Sequence, residues 1–101
     1  MKYLVRLTAR ALRDMEAIYD SIGADTYGQA FAWFNDLARV ICSLERFPAR
    51  GTVTPESKKL RHLLLGKKPF VYRIIYVLNK RNRVVNVLHI RHGARAAVSP
   101  E

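Results

Sequence analysis

Cysteine is nearly missing from this chain. Cys42 is the only one in 101 residues, so no intrachain disulfide can form. A lone thiol inside an amphipathic run suits a reducing compartment, and a chain of this length buries a core without disulfides or metal. Acid is also scarce. Eight Asp and Glu stand against 18 Lys and Arg, a formal charge of +10. The shortage is uneven: residues 1–50 hold six acids and seven bases, whereas residues 51–101 hold only Glu56 and Glu101 against eleven bases, a net of +9. Such one-sidedness implies an anionic partner for the C-terminal half, either nucleic acid or an acidic protein segment. No apolar run approaches the roughly 20 residues that cross a bilayer. Arg6 and Arg10 interrupt "MKYLVRLTAR", which leaves no signal-peptide core. Low-complexity segments and internal repeats are absent, and half the residues are hydrophobic. A single soluble, cytoplasmic domain over residues 1–101, with no membrane partner, is the expectation.

What is present is a change of period along the chain. "KYLVRLT" alternates as a strand does, and Thr8 is placed to cap the segment that follows. Leu12, Met15, Tyr19 and Ile22 then recur at helical spacing until Gly23. Asp25 or Thr26 is expected to cap a second helix with a stripe through Phe31, Phe34, Ile41 and Leu44, closed by Pro48. A connection this short makes the two helices an antiparallel hairpin. "PARGTVTPES" reads as loop. "LRHLLLG", "FVYRIIYVL" and "RVVNVLHIR" are β-branched and aromatic strands, the last two joined by a turn at "NKRN". The predicted fold is α+β in the order β-α-α-β-β-β, with the helical hairpin on one face of a small, twisted, mainly antiparallel sheet.

The segments "LTARALRDMEAIYDSI", "SLERFPARG", "YRIIYVL" and "VLHIRHGAR", in this order and spacing, resemble the RelE/ParE superfamily of toxins from bacterial type II toxin–antitoxin systems. The resemblance runs nearly end to end and implies the same fold. It also implies a cognate antitoxin whose C-terminal segment wraps the toxin, with operator DNA reached only through that antitoxin. Its two branches differ in target. RelE-like members cut mRNA in the ribosomal A site; ParE-like members are not known as nucleases and are associated with inhibition of DNA gyrase.

By resemblance, Arg73 in "YRIIY" and Arg95 in "HGAR" fall where RelE-like nucleases bind phosphate. The strand before Arg73 offers Arg61 and His62 but no lysine, and the tail "AAVSPE" has neither the Tyr nor the His that such nucleases commonly carry. Metal-independent cleavage would need a general base and acid, and His89 or His62 would have to supply them beside Arg73 and Arg95. Simple alternation puts Val85, Val87, His89 and Arg91 on one face of the last strand, and Leu88, Ile90 and His92 on the other. His89 and His92 are thereby separated. No carboxylate lies near them, so no metal and no cofactor are expected. The depleted nuclease positions favour a ParE-like toxin that binds a protein target and is not an enzyme, with a ribosome-dependent mRNA endonuclease as the alternative. A nucleic-acid-binding module without catalysis ranks third. The expected contacts for target or antitoxin are Arg61, Arg73, Arg91 and Arg95, with Trp33, off the main stripe, as a partner-facing aromatic.

Overall fold

Thr8 starts the first helix as its sequence suggests. Its hydroxyl accepts from Ala11 N–H at 3.1 Å, and helix α1 runs over Ala9–Ser21. This is seen in a computed structural model that describes residues 2–67 and 70–92. Strand β1, Leu4–Leu7, precedes the helix. Gly23 ends it with φ of 72°. A Cβ there would sit 2.8 Å from the Tyr27 ring, so the tight exit needs glycine. Helix α2, Gly28–Cys42, follows and passes into a 3₁₀ turn over Ser43–Glu45. Neither expected cap serves α2: Tyr27 holds the cap position without a side-chain bond, while Thr26 donates to Asp25.

The sheet has five strands rather than four. The stretch read as loop contains a two-residue strand, β2 (Thr52–Val53), paired with His62 and Arg61. It is too short for alternation to reveal. The long strands are β3 (Leu60–Lys67), β4 (Phe70–Asn79) and β5 (Val84–His92). They lie in the order β1-β5-β4-β3-β2, antiparallel except for the β1–β5 pair. The helical crossover between β1 and the meander makes that parallel pairing possible. Ala11 and Ile18 of α1, Leu37 and Ile41 of α2, and Leu44 bury against Ile74, Tyr76, Val85, Val87 and Ile90 of the sheet. The α+β hairpin-on-sheet architecture is thus the predicted one.

One face assignment is overturned. Ile75 lies opposite His89 but Tyr76 lies opposite Val87, so Leu88 is an extra residue in β5. This β-bulge shifts parity: Val85, Val87 and then Ile90 point into the core, and His89 and Arg91 do not share the face of the two valines. Residues of α1 and its cap satisfy the backbone groups that the bulge frees. Thr8 donates its hydroxyl to Leu88 O at 3.0 Å, and Asp14 accepts Ile90 N–H at 2.9 Å. The bulge puts Arg91 directly opposite Arg73 on the sheet face turned away from the core, and sets His89 in register with Ile75.

Candidate functional site

Arg73 occupies the middle of that outer face, yet it is only 4% exposed. A guanidinium so placed must spend its donors internally. Its Nη1 and Nη2 bond the two carboxylate oxygens of Glu56 at 2.9 and 3.1 Å, and its Nε donates to His62 Nδ1 at 3.0 Å. The bidentate fork is the strongest geometry available to an Arg–carboxylate pair. Glu56 comes from the loop between β2 and β3, and was not among the expected site residues. Its signal was present all the same: it stands alone as an acid among the cations of residues 51–100.

The bond from Arg73 holds the Glu56 carboxyl below its ordinary 4.5, against the opposing effect of burial. His62 is pushed below its ordinary 6.5, first by burial and then by the Arg73 charge, with Glu56 opposing. Because arginine only donates, His62 Nδ1 must accept, and the ring is neutral with its proton on Nε2. The sign of the pH effect follows. The unfolded chain binds the His62 proton more readily than the folded one, so stability from this group is complete above 6.5 and falls as pH drops below it. Glu56 contributes a further loss only below 4.5. The urea midpoint should fall between about pH 7.5 and pH 5.5, and His62→Gln should reduce that fall.

The other histidines are also committed. His89 Nδ1 lies 2.6 Å from Asp14 Oδ2 on α1, and its Nε2 lies 3.2 Å from Arg10 Nη2. Since Arg10 can only donate, Nε2 accepts and Nδ1 donates its proton to Asp14. His89 therefore ties β5 to α1 through both nitrogens, and neither Arg10 nor Asp14 was legible as its partner across more than 70 residues. His92 faces the opposite side, its ring edge-on to Tyr72 at 5.1 Å. Its Nδ1 is buried without a partner among the described residues. Tyr72 also carries Trp33, with ring centroids 5.2 Å apart, so Trp33 is half-buried on the sheet. Tyr27 and Phe31 are the more exposed aromatics, at 65% and 48%.

Arg61 works on a different loop. Its Nη1 donates to Gly51 O at 2.7 Å and Ala49 O at 3.3 Å. The buried Tyr76 hydroxyl completes this anchor: it donates to Pro48 O at 2.7 Å and accepts from Gly51 N–H at 2.9 Å. Burial raises the Tyr76 hydroxyl above its ordinary 10.0, which keeps it a neutral donor. Arg95, Gly93 and the tail lie outside the described residues. The structure thus brings Arg73, His62 and Arg91 onto one face, while His89 and Arg61 are engaged elsewhere. Among the described residues, no three His, Cys, Asp or Glu lie close enough to hold a metal ion. No helix is long and apolar enough to cross a membrane.

Two grooves lie away from the Arg73 cluster, one on the helical layer and one at an end of the sheet. One, of about 470 Å³, runs between the helices beside Leu12, Met15, Tyr19 and Phe34. The other, of about 520 Å³, lies at the start of β3 and the end of β4 and is lined by basic residues.

Solved structures share the fold. The RelBE2 toxin–antitoxin complex from Mycobacterium tuberculosis is 21% identical with a TM-score of 0.66, covering 91% of this chain and 99% of that one. The chromosomal ParDE system from P. aeruginosa is 18% identical with a TM-score of 0.67, covering 90% and 96%. A mutant of E. coli toxin RelE in the free state is 14% identical with a TM-score of 0.66, covering 95% and 88%. At these identities the likeness is one of fold. No curated protein matches the sequence. Residues 5–97 match the family described as the ParE toxin of the type II toxin–antitoxin system, parDE. That span takes in both helices and, from Val5 onward, the strands of the described residues, and the chain belongs to the ParE toxin family of type II toxin–antitoxin systems.

Proposed function

We propose that this toxin arrests growth by binding a protein target, DNA gyrase, and that it is not a nuclease. The observation that carries this reading is the closed Arg73 fork. An arginine that is 4% exposed, with its charge paired to Glu56 and its Nε on His62, is withdrawn from the surface where a phosphodiester would have to meet it. His62 and His89 are likewise held by arginines at one ring nitrogen, which weakens both as general acid or base. Membership in the ParE family points the same way. Purified gyrase tests the assignment: the toxin should inhibit supercoiling at about micromolar concentration, the range of ordinary specific binding. No inhibition by a preparation that remains toxic in cells would remove gyrase as the target.

A cognate antitoxin is the second partner. Two of the similar folds come from toxin–antitoxin systems. The groove between α1 and α2, with Leu12 and Phe31 exposed beside it, fits the apolar face of an amphipathic helix. Acidic residues of the same segment would meet Arg91 and Arg95. The mRNA endonuclease remains the rival because His62, Arg73 and Arg91 do share the outer face. Under that rival, primer extension after induction would reveal codon-linked cuts that His89→Ala or His62→Ala abolishes. The gyrase reading expects no such cuts, and expects His89→Ala to stay toxic if it folds.

A further inference from the structure

Among the described residues some cations are ion-paired and others, Arg6, Arg13 and Arg46 among them, are not; four of the unpaired ones cluster at a single groove. Lys2 lies against Glu45, Arg39 against Asp36 and Arg73 against Glu56. Lys58, Lys59, Lys80 and Arg81 have no ion pair among the described residues. All four line the same groove, together with Arg61. Antiparallel pairing of Leu60 with Val77 brings them together, because it sets the start of β3 beside the turn that follows β4. No acid lines the groove; Glu56, two residues from Lys58, is already spent on Arg73. Five like charges around one opening repel one another, a cost that an external anion relieves.

We infer that this groove is a binding site for the phosphodiester backbone of duplex DNA, separate from the Arg73 face. The chemistry selects among anions. The lining also includes the aliphatic Val77 and Leu78, with Asn79, and no aromatic side chain lines the groove on which an unstacked base could rest. Single strands therefore gain little there beyond charge. Lys58–Lys59, just before β3, and Lys80–Arg81, just after β4, are two basic segments lining one groove, and match a run of phosphates better than one carboxylate. Arg61 is held in place by its bonds to Gly51 O and Ala49 O, while the other four side chains adapt around it. The contact is sequence-independent. It differs from the expectation drawn from sequence, in which DNA is reached only through an antitoxin, and it does not depend on gyrase being the target.

Fluorescence anisotropy of the whole protein with a labelled duplex of arbitrary sequence tests this across a salt series. Five contacts predict that the logarithm of affinity falls with the logarithm of salt at a slope of about −4.5. Lys80→Ala with Arg81→Ala, on an exposed turn, should flatten that slope by about 2 and weaken binding at least tenfold near 0.1 M salt. Lys2→Ala with Arg39→Ala removes the same charge elsewhere and should leave the slope unchanged, which separates a groove from diffuse attraction. The site is refuted if the turn variant keeps the wild-type slope, or if the control variant flattens it equally. It is also refuted if a single strand or polyglutamate binds the wild type more tightly than the duplex.

Discussion

Glu56→Ala should destabilise the protein by about 3 kcal/mol, lowering the melting temperature by about 12 °C or more. The cause is the group left behind. Arg73 keeps 5% of its side-chain surface exposed, so without Glu56 its charge stays buried with His62 as its one remaining polar contact. The reverse substitution is milder. Glu56, at 16% side-chain exposure, can turn toward water when Arg73 is replaced by Met. Removing both charges, as Glu56→Leu with Arg73→Met, should restore most of the loss, because apolar packing avoids the desolvation that a buried pair incurs. Thermal melts of the three variants test this. Equal losses for both single variants, with no recovery in the double, would contradict a buried pair whose cost lies in the stranded arginine.

Gly51→Ala should cost about 2–3 kcal/mol. The new methyl would lie 2.6 Å from the Tyr76 hydroxyl oxygen and 2.7 Å from His62 O. Neither neighbour yields easily: Tyr76 is fully buried in the core, and His62 O belongs to the sheet backbone. Moving the loop instead would break the bonds from Tyr76 to Pro48 O, from Gly51 N–H to Tyr76, and from Arg61 to Gly51 O. Tyr76→Phe alone should cost about 1–2 kcal/mol by stranding the Gly51 N–H. Because the two substitutions disrupt the same contact, their combined cost should fall short of their sum in a double-mutant cycle by urea denaturation. Strict additivity would mean that the loop is held by something other than this hydroxyl.

The helical hairpin and the long strands were legible because their cause is local. Thr8, the stripe through Met15 and Ile22, and the aromatic strand around Tyr76 each declare themselves within a few residues. The faces of β5 were not. One extra residue, Leu88, reverses the alternation, and nothing in "VVNVLHIRH" marks where a bulge falls; the α1 residues that stabilise it, Thr8 and Asp14, are more than 70 positions away. The site failed in the same manner. Arg73 was singled out by its resemblance to a phosphate-binding position of RelE-like nucleases, but its meaning depends on Glu56, 17 residues earlier in a loop. The scarcity of acid in the second half held the clue, since a lone carboxylate there must find a cation. Trp33 follows the general pattern too: lying off the stripe suggested exposure, but its ring packs on Tyr72 of β4, 39 positions away in sequence.

If the Arg73 fork is structural and the toxin acts by binding gyrase, chemistry at Arg73 is dispensable. Supercoiling inhibition by the Glu56→Leu, Arg73→Met double variant measures this directly, once its melt has established that it is folded. Inhibition of purified gyrase at the wild-type concentration is the predicted result. A folded double variant that no longer inhibits gyrase, or that loses toxicity together with codon-linked mRNA cuts made by the wild type, would contradict it.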